Sequence, residues 1–287
     1  PVAGSWSSKP AMSATRAYFG GAGTSTAALG FGGYSALNTT SSYNGSAWSA
    51  GNNMNTGRRS LSGTGTQTAT LAIGGYDGGS RITSVEAYGG STWTSTGSLN
   101  TAKTVVGASG TSAAALVFGG QSPSAFLTTT ESFNGSTWTN LPATLNTGRA
   151  SGTGAGTQTA ALFFGGTTPG LTAATESYNG TSWTTVNSMN TQRQSFAGAG
   201  TQTAALAAGG DSPTPGGTAK TELWNGSNWS NSANLGTGRY LCFGSSNAPN
   251  NSSLAIGGGG SPSAKETATE LWTGESSTAV AKTLTTS

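Results

Sequence analysis

The chain has 287 residues, of which 7% are charged, with 47 glycines, no histidine and a net charge of +3 at pH 7. Its cations are scattered singly, which excludes the clustered surface that displaces counterions from nucleic acid, and no apolar stretch reaches the ~18 residues of a membrane-spanning helix. Absence of histidine excludes a Ser-His-Asp triad and His-based metal sites. Low charge with abundant Gly and Ser is a signature of disorder, but apolar runs such as "AALFFGG" and evenly placed tryptophans point to a packed β protein.

From the start, "PVAGSW" shows neither a signal peptide nor an initiating Met and reads as a processed or partial product. Trp6 opens a series continued by Trp48, Trp93, Trp138, Trp183 and Trp229, at spacings of 42, 45, 45, 45 and 46 residues. Glycine doublets keep the same rhythm, from Gly32-Gly33 to Gly257-Gly258. The units span about 13–54, 55–99, 100–144, 145–189, 190–235 and 236–276, with 1–12 completing the last and 277–287 a tail. Each unit reads as four short strands. Strand A follows a basic residue ("RQSFAGAG"), and strand B is the apolar run into the doublet ("TAALFFGG"). Strand C alternates through "ATESYNG", and strand D begins at the Trp ("SWTTV"). Asn-Gly at Asn44, Asn134, Asn179 and Asn225 predicts a type I′ hairpin between C and D, which Gly89-Gly90 replaces in the second unit. The same turns account for the Asn-x-Ser/Thr sequons there without glycosylation.

Repeated four-stranded units of this length predict an all-β, six-bladed propeller with four antiparallel strands per blade. Gly and Ala in strand A suit the crowded axis. The six tryptophans fill the space between blades. The last unit, "ATELWTGESSTAV", lacks the Trp of strand D, whereas the start of the chain supplies such a strand without A, B or C. The segment around Trp6 is therefore expected to close the ring in the last blade. The other arrangement uses Thr278–Leu284 as the outer strand and leaves Trp6 in a linker. Cys242, in "GRYLCFG", is the one cysteine, so no internal disulfide forms and a small apolar filler is the expected role.

The glycine doublet after an apolar strand, then an aromatic, then a Trp, resembles the kelch repeat over nearly the whole chain. The aromatic and the Trp lie five apart here (Tyr178, Trp183), closer than that family usually has them. The phrases "LNTGRASGTGAGTQTAALFFGG" and "MNTQRQSFAGAGTQTAALAAGG" are similar to kelch-like proteins encoded by marine bacteriophages. That resemblance implies a virion structural or tail-appendage component. Galactose-oxidase-like copper chemistry, also found on a kelch-type propeller, needs histidines that are absent. "SYNGTSW" resembles the sialidase motif with Asn in place of Asp and a shorter spacing.

Charge has its own period. One basic residue opens strand A in every unit: Arg16, Arg58, Lys103, Arg149, Arg193 and Arg239. One carboxylate sits two residues before the strand-C aromatic in five of them: Glu86, Glu131, Glu176, Glu222 and Glu270. Unit one has Ser41 there, leaving Arg16 as the ring member most free to bind something else. Starts of A and C share an end of an antiparallel blade, so a ring of Arg–Glu pairs is expected in preference to an anion-binding ring of arginines at the channel mouth. The B–C connections differ from unit to unit, and loops on a rigid scaffold carry function. Tyr34, Tyr76 and Phe126 are candidates for stacking on sugar rings. Asp77, Arg81, Asp211 and Lys265 are candidates for polar contacts. Glycosidase chemistry needs paired carboxylates, and only Asp77, Asp211, Glu266 and Glu275 fall outside the strand-C register.

The expectation is a non-enzymatic structural or binding propeller on a virion exterior (extracellular), without cofactor or metal. Its partners would be other virion proteins and a host-surface receptor or glycan, with no nucleic acid and no membrane insertion. An intracellular kelch adaptor gripping a protein partner is the alternative from another class, and a carbohydrate-active enzyme the third.

Overall fold

The computed structural model describes residues 4–213, 217–244, 249–261 and 264–274. Six four-stranded antiparallel sheets are arranged as a β-propeller, and among the described residues there is no helix. Strands A to D are Gly20–Gly23, Ala28–Phe31, Thr40–Tyr43 and Trp48–Gly51 in blade one. They are Ser62–Thr66, Ala69–Ile73, Val85–Tyr88 and Trp93–Thr96 in blade two, and Gly107–Gly110, Ala115–Phe118, Thr130–Phe133 and Trp138–Asn140 in blade three. Blade four has Thr153–Gly156, Ala161–Phe164, Thr175–Tyr178 and Trp183–Val186, and blade five has Ala197–Gly200, Ala205–Ala208, Thr221–Trp224 and Trp229–Ser232. Blade six combines Phe243–Gly244, Ser252–Ile256 and Thr269–Thr273 with Ser5–Lys9 from the other end of the chain.

Ser5–Lys9 pairs antiparallel with Thr269–Thr273 and sets Trp6 opposite Trp272. This rebuilds, across the whole chain, the pair that every other blade makes locally, such as Tyr43 with Trp48 or Tyr178 with Trp183. The ring is closed by the N-terminal strand. The competing outer strand, Thr278–Leu284, lies outside the described residues, and its place beside strand C is taken.

Strand A is small because neighbouring strands A nearly touch. A Cβ on Gly63 would lie 2.4 Å from the Gly21 carbonyl oxygen, and one on Gly154 would lie 2.4 Å from that of Ala108. Tryptophans of strand D reach back to the preceding blade. Trp93 meets Phe31 at 5.0 Å between ring centroids, and Trp183 meets Phe118 at 4.8 Å. Their indole N–H groups donate to a Thr hydroxyl at the start of the neighbour's strand C: Trp183 to Thr130 (3.0 Å), Trp229 to Thr175 (3.1 Å) and Trp6 to Thr221 (3.0 Å). Trp138 is the exception. Its buried Nε1 has no acceptor among the described residues, because strand C of blade two starts with Val85.

The C–D turns are not type I′. Tyr43 still faces Trp48, so four residues lie between the paired positions, and only Gly45 takes positive φ (91°). Asn44 instead works through its side chain: Oδ1 accepts the amides of Ser46 (3.0 Å) and Ala47 (2.8 Å). Asn134, Asn179 and Asn225 do the same in their turns. Asparagine is there as a local acceptor for two turn amides.

Candidate binding face

Antiparallel order puts the D–A and B–C connections at one end of every blade, so both border one mouth of the central channel. The chain enters strand A through a left-handed residue in each blade: Tyr18 (φ 57°), Ser60 (54°), Val105 (50°), Ser151 (59°), Ser195 (53°) and Leu241 (56°). Such a φ is uncommon in a residue other than glycine, most of all in a β-branched one. Here it aims the amides of blades two to six at the preceding blade. Ser60 N–H donates to the Tyr18 carbonyl (2.7 Å), Val105 to Ser60 (2.9 Å), Ser151 to Val105 (3.0 Å), Ser195 to Ser151 (2.8 Å) and Leu241 to Ser195 (2.7 Å). The same six residues rim an axial cavity of ≈ 120 Å³, whose deeper wall is apolar and includes Leu61, Val106, Phe196 and Phe243.

Outside this rim, the residue after each buried cation bonds to the residue after each glycine doublet, as in Arg59 with Tyr76, Thr104 with Gln121 and Gln194 with Asp211. Side chains at these matched positions divide the face in two. Blades three to five present the half-buried Gln121, Thr167, Gln194 and Asp211, with Thr104 and Ala150 buried beside them. Blades six, one and two present aromatic rings and cations. Tyr34 is 42% and Tyr18 39% exposed, and their centroids are 6.3 Å apart. Lys265 Nζ sits 3.8 Å from the Tyr34 ring centroid, and Arg59 Cζ lies 4.9 Å from that of Tyr76 and 6.0 Å from that of Tyr34. Such cation–ring contacts are worth about 0.5–1 kcal/mol at exposed sites. Burial, with Tyr18 and Asp211 close by, pushes the Tyr240 phenol up.

Of the loop residues singled out from the sequence, Tyr34, Tyr76 and Lys265 therefore converge, joined by Arg59. The others do not join them. Asp77 spends its carboxylate on its own turn, accepting the amides of Ser80 (2.8 Å) and Gly79 (2.9 Å), which hold it below the usual carboxylate range. Asp211 accepts from Gln194 Nε2 at 3.0 Å. Arg81 is bridged through its backbone to Tyr76, with its Nε buried and unpartnered among the described residues. Phe126 is half-buried and bridged to Gln121 on the plainer side. Glu266 lies 4.0 Å from Arg239, and Glu275 is outside the described residues. Sequence reasoning missed Tyr18 and Arg59; the doublet Arg58-Arg59 was the available signal, one member facing inward and the next outward.

The periodic cations and carboxylates are elsewhere, inside the blades. Arg58–Glu86 (2.5 Å), Lys103–Glu131 (2.6 Å), Arg149–Glu176 (2.6 Å) and Arg193–Glu222 (2.5 Å) pair with side chains at most 2% exposed, and Arg239 pairs with Glu270. Each carboxylate also receives a loop amide, such as Asn55 N–H to Glu86 at 2.7 Å. None of these cations borders the axial cavity, so they form no anion ring at the mouth. Among the described residues, no group of three or more Cys, Asp or Glu could hold a metal ion.

No protein-family model matches the chain, and no curated protein matches it. Among solved structures 240 chains are similar. One of these, the structure of YjhT, aligns with a TM-score of 0.75 over 92% of this chain and 96% of that one, at 16% identity. At that identity the likeness is one of fold.

Proposed function

We propose that this propeller is a non-enzymatic binding module that holds an acidic glycan or similar anionic surface group on the arc formed by Tyr18, Tyr34, Tyr76, Arg59 and Lys265. The carrying observation is the exposed Tyr34 ring with Lys265 on it and Arg59 beside it. Aromatic faces stack on the apolar face of a sugar, while the adjoining cations meet a carboxylate or phosphate on it. The exposed cations' share of this contact weakens as salt rises, whereas the stacking share does not.

The resemblance to kelch-like bacteriophage proteins supports a finer reading. In it the propeller sits on a virion exterior, as a tail fibre, appendage or surface component, and the arc contacts the host envelope. Two experiments test these readings separately. Binding to a panel of acidic and neutral oligosaccharides should favour the acidic ones and fall at least tenfold in Tyr34→Ala and Lys265→Ala, with Thr167→Ala unaffected. Binding that ignores Tyr34, or that is absent across the panel, overturns the glycan reading. Peptide mass fingerprinting of purified particles should find the chain in the virion; finding it only in infected-cell cytosol with one protein partner supports the adaptor alternative.

A further inference from the structure

Five blades solve one electrostatic problem in the same way. In blade two, Glu86 takes Arg58 Nη2 (2.5 Å) and the amides of Asn55 (2.7 Å) and Thr56 (3.1 Å). In blade five, Glu222 takes Arg193 Nη2 together with the amides of Asn190 (2.6 Å) and Thr191 (3.1 Å). Glu131, Glu176 and Glu270 likewise accept the amides of Asn100 (2.7 Å), Asn146 (2.8 Å) and Gly236 (2.8 Å). One carboxylate thus neutralises one buried cation and satisfies the loop in front of it.

Blade one keeps the arginine and the two loop amides of this arrangement, has Ser13 in place of the Asn whose Nδ2 also donates in blades three and four, and among the described residues has no acid there. Arg16 is 3% exposed and holds the pose of its counterparts. Its Nη1 donates to the carbonyls of Gly32 (2.7 Å) and Thr39 (3.0 Å), as Arg58 Nη1 does to Gly74 (3.2 Å) and Ser84 (2.8 Å). The loop before it is pinned by the same two bonds. Met12 N–H reaches Thr267 O (2.8 Å) and Arg16 N–H reaches Glu266 O (3.2 Å), matching Met54 to Asn38 (2.8 Å) and Arg58 to Leu37 (3.0 Å). Ser13 and Ala14 stand where Asn55 and Thr56 stand, and among the described residues their amides meet no acceptor. Ser41 replaces the Glu, and its Oγ reaches Arg16 Nη2 at 3.1 Å. No carboxylate pairs with Arg16 among the described residues. A buried cation without a counter-ion is costly, and burial brings the Arg16 guanidinium down to about 10.

We propose that blade one binds a small free monocarboxylate, of formate or acetate size, between the Arg16 guanidinium and the amides of Ser13 and Ala14. Serine is shorter than glutamate by roughly the acid group itself, so the ligand occupies the volume that the Glu side chain fills in the sister blades. Its oxygens accept from Arg16 and the two amides, and Ser41, already accepting from Arg16, donates its hydroxyl hydrogen. Ser13, Ala14 and Thr15 are exposed, so the anion enters beneath them. The planar guanidinium favours a planar carboxylate over a spherical halide.

The test compares wild type with Ser41→Glu, which supplies the acid covalently. Thermal melts are run in rising formate or acetate, with ionic strength held constant by benzenesulfonate, too bulky for the site. Wild type should gain a saturable rise on the order of 1–3 °C, while S41E should melt higher without anion and not respond to it. Isotopically labelled formate should show line broadening with wild type, relieved by acetate and absent with S41E. An equal response in both proteins, or none in wild type, overturns the proposal. Should S41E fail to fold, the labelled-formate spectrum of wild type decides alone: broadening that acetate does not relieve, or no broadening, refutes the site.

Discussion

Val85→Thr should stabilise this protein, although nothing about an isolated Val to Thr change in a strand suggests it. Trp138 is 6% exposed, packs in one cluster with Val85, and has a buried N–H without an acceptor among the described residues. In the corresponding place Trp183 and Trp229 donate to Thr130 and Thr175 at 3.0 and 3.1 Å. A buried unsatisfied donor costs about 1–3 kcal/mol, and exchanging one methyl for a hydroxyl forfeits about 0.8 kcal/mol of apolar burial. The net gain is about 0.5–2 kcal/mol, or on the order of 1–4 °C for a chain of this size. The converse change, Thr130→Val, orphans the Trp183 indole and should lose a similar amount. Calorimetric melts and urea midpoints at unchanged m-value measure both. V85T at or below wild-type stability, together with a neutral T130V, would refute the claim that these indole–hydroxyl bonds are what the repeat selects at the start of strand C.

Three further outcomes follow from the same geometry. Glu176→Gln leaves the Arg149 guanidinium buried without its counter-charge and should cost about 3 kcal/mol or more, whereas exchanging both residues for Met and Leu should cost far less; denaturant midpoints of the two variants compare them. Gly89 has ordinary negative φ and nothing within 4 Å of an added Cβ, so Gly89→Asn should cap its turn as Asn44 does and raise stability by about 0.5–1 kcal/mol, read as a melting shift. Burial pushes the Cys242 thiol from 9.0 up to about 11, so a maleimide or disulfide probe at pH 8 should label it only on unfolding. Because the folded state holds that proton longer, the contribution is complete below pH 9.0 and is lost as pH rises to about 11.

The architecture was legible because its signals are periodic. Tryptophans at a near-constant spacing mark strand D, and the missing Trp of the last unit, matched by the surplus Trp6, revealed how the ring closes. What escaped notice is set by neighbours. Ser60, Val105 and Leu241 share no side-chain chemistry, yet all take a left-handed φ, because the adjoining blade's carbonyl captures their amides. No residue preference announces a conformation imposed from outside the repeat. The Asn-Gly turns were assigned the wrong type because turn class depends on where the flanking strands stop pairing, and Tyr43 pairs with Trp48 itself. Of the face, the tyrosines could be named but not their partners: Arg59 reaches Tyr34 and Tyr76 only after two loops from different repeats are brought side by side. Val85 could have been noticed by reading the first position of strand C down the six units.

The inner belt of amides and carbonyls has a sense of rotation: blade two donates to blade one, blade three to blade two, and so on to blade six. The series has five bonds and is open between blades six and one; a unit inserted within it must both accept from one side and give to the other, which a whole repeat does and a fraction of one does not. Changes of length that preserve this series therefore come in whole repeats of about 45 residues. Duplicated or deleted segments of other lengths would be confined to the loops at its two ends.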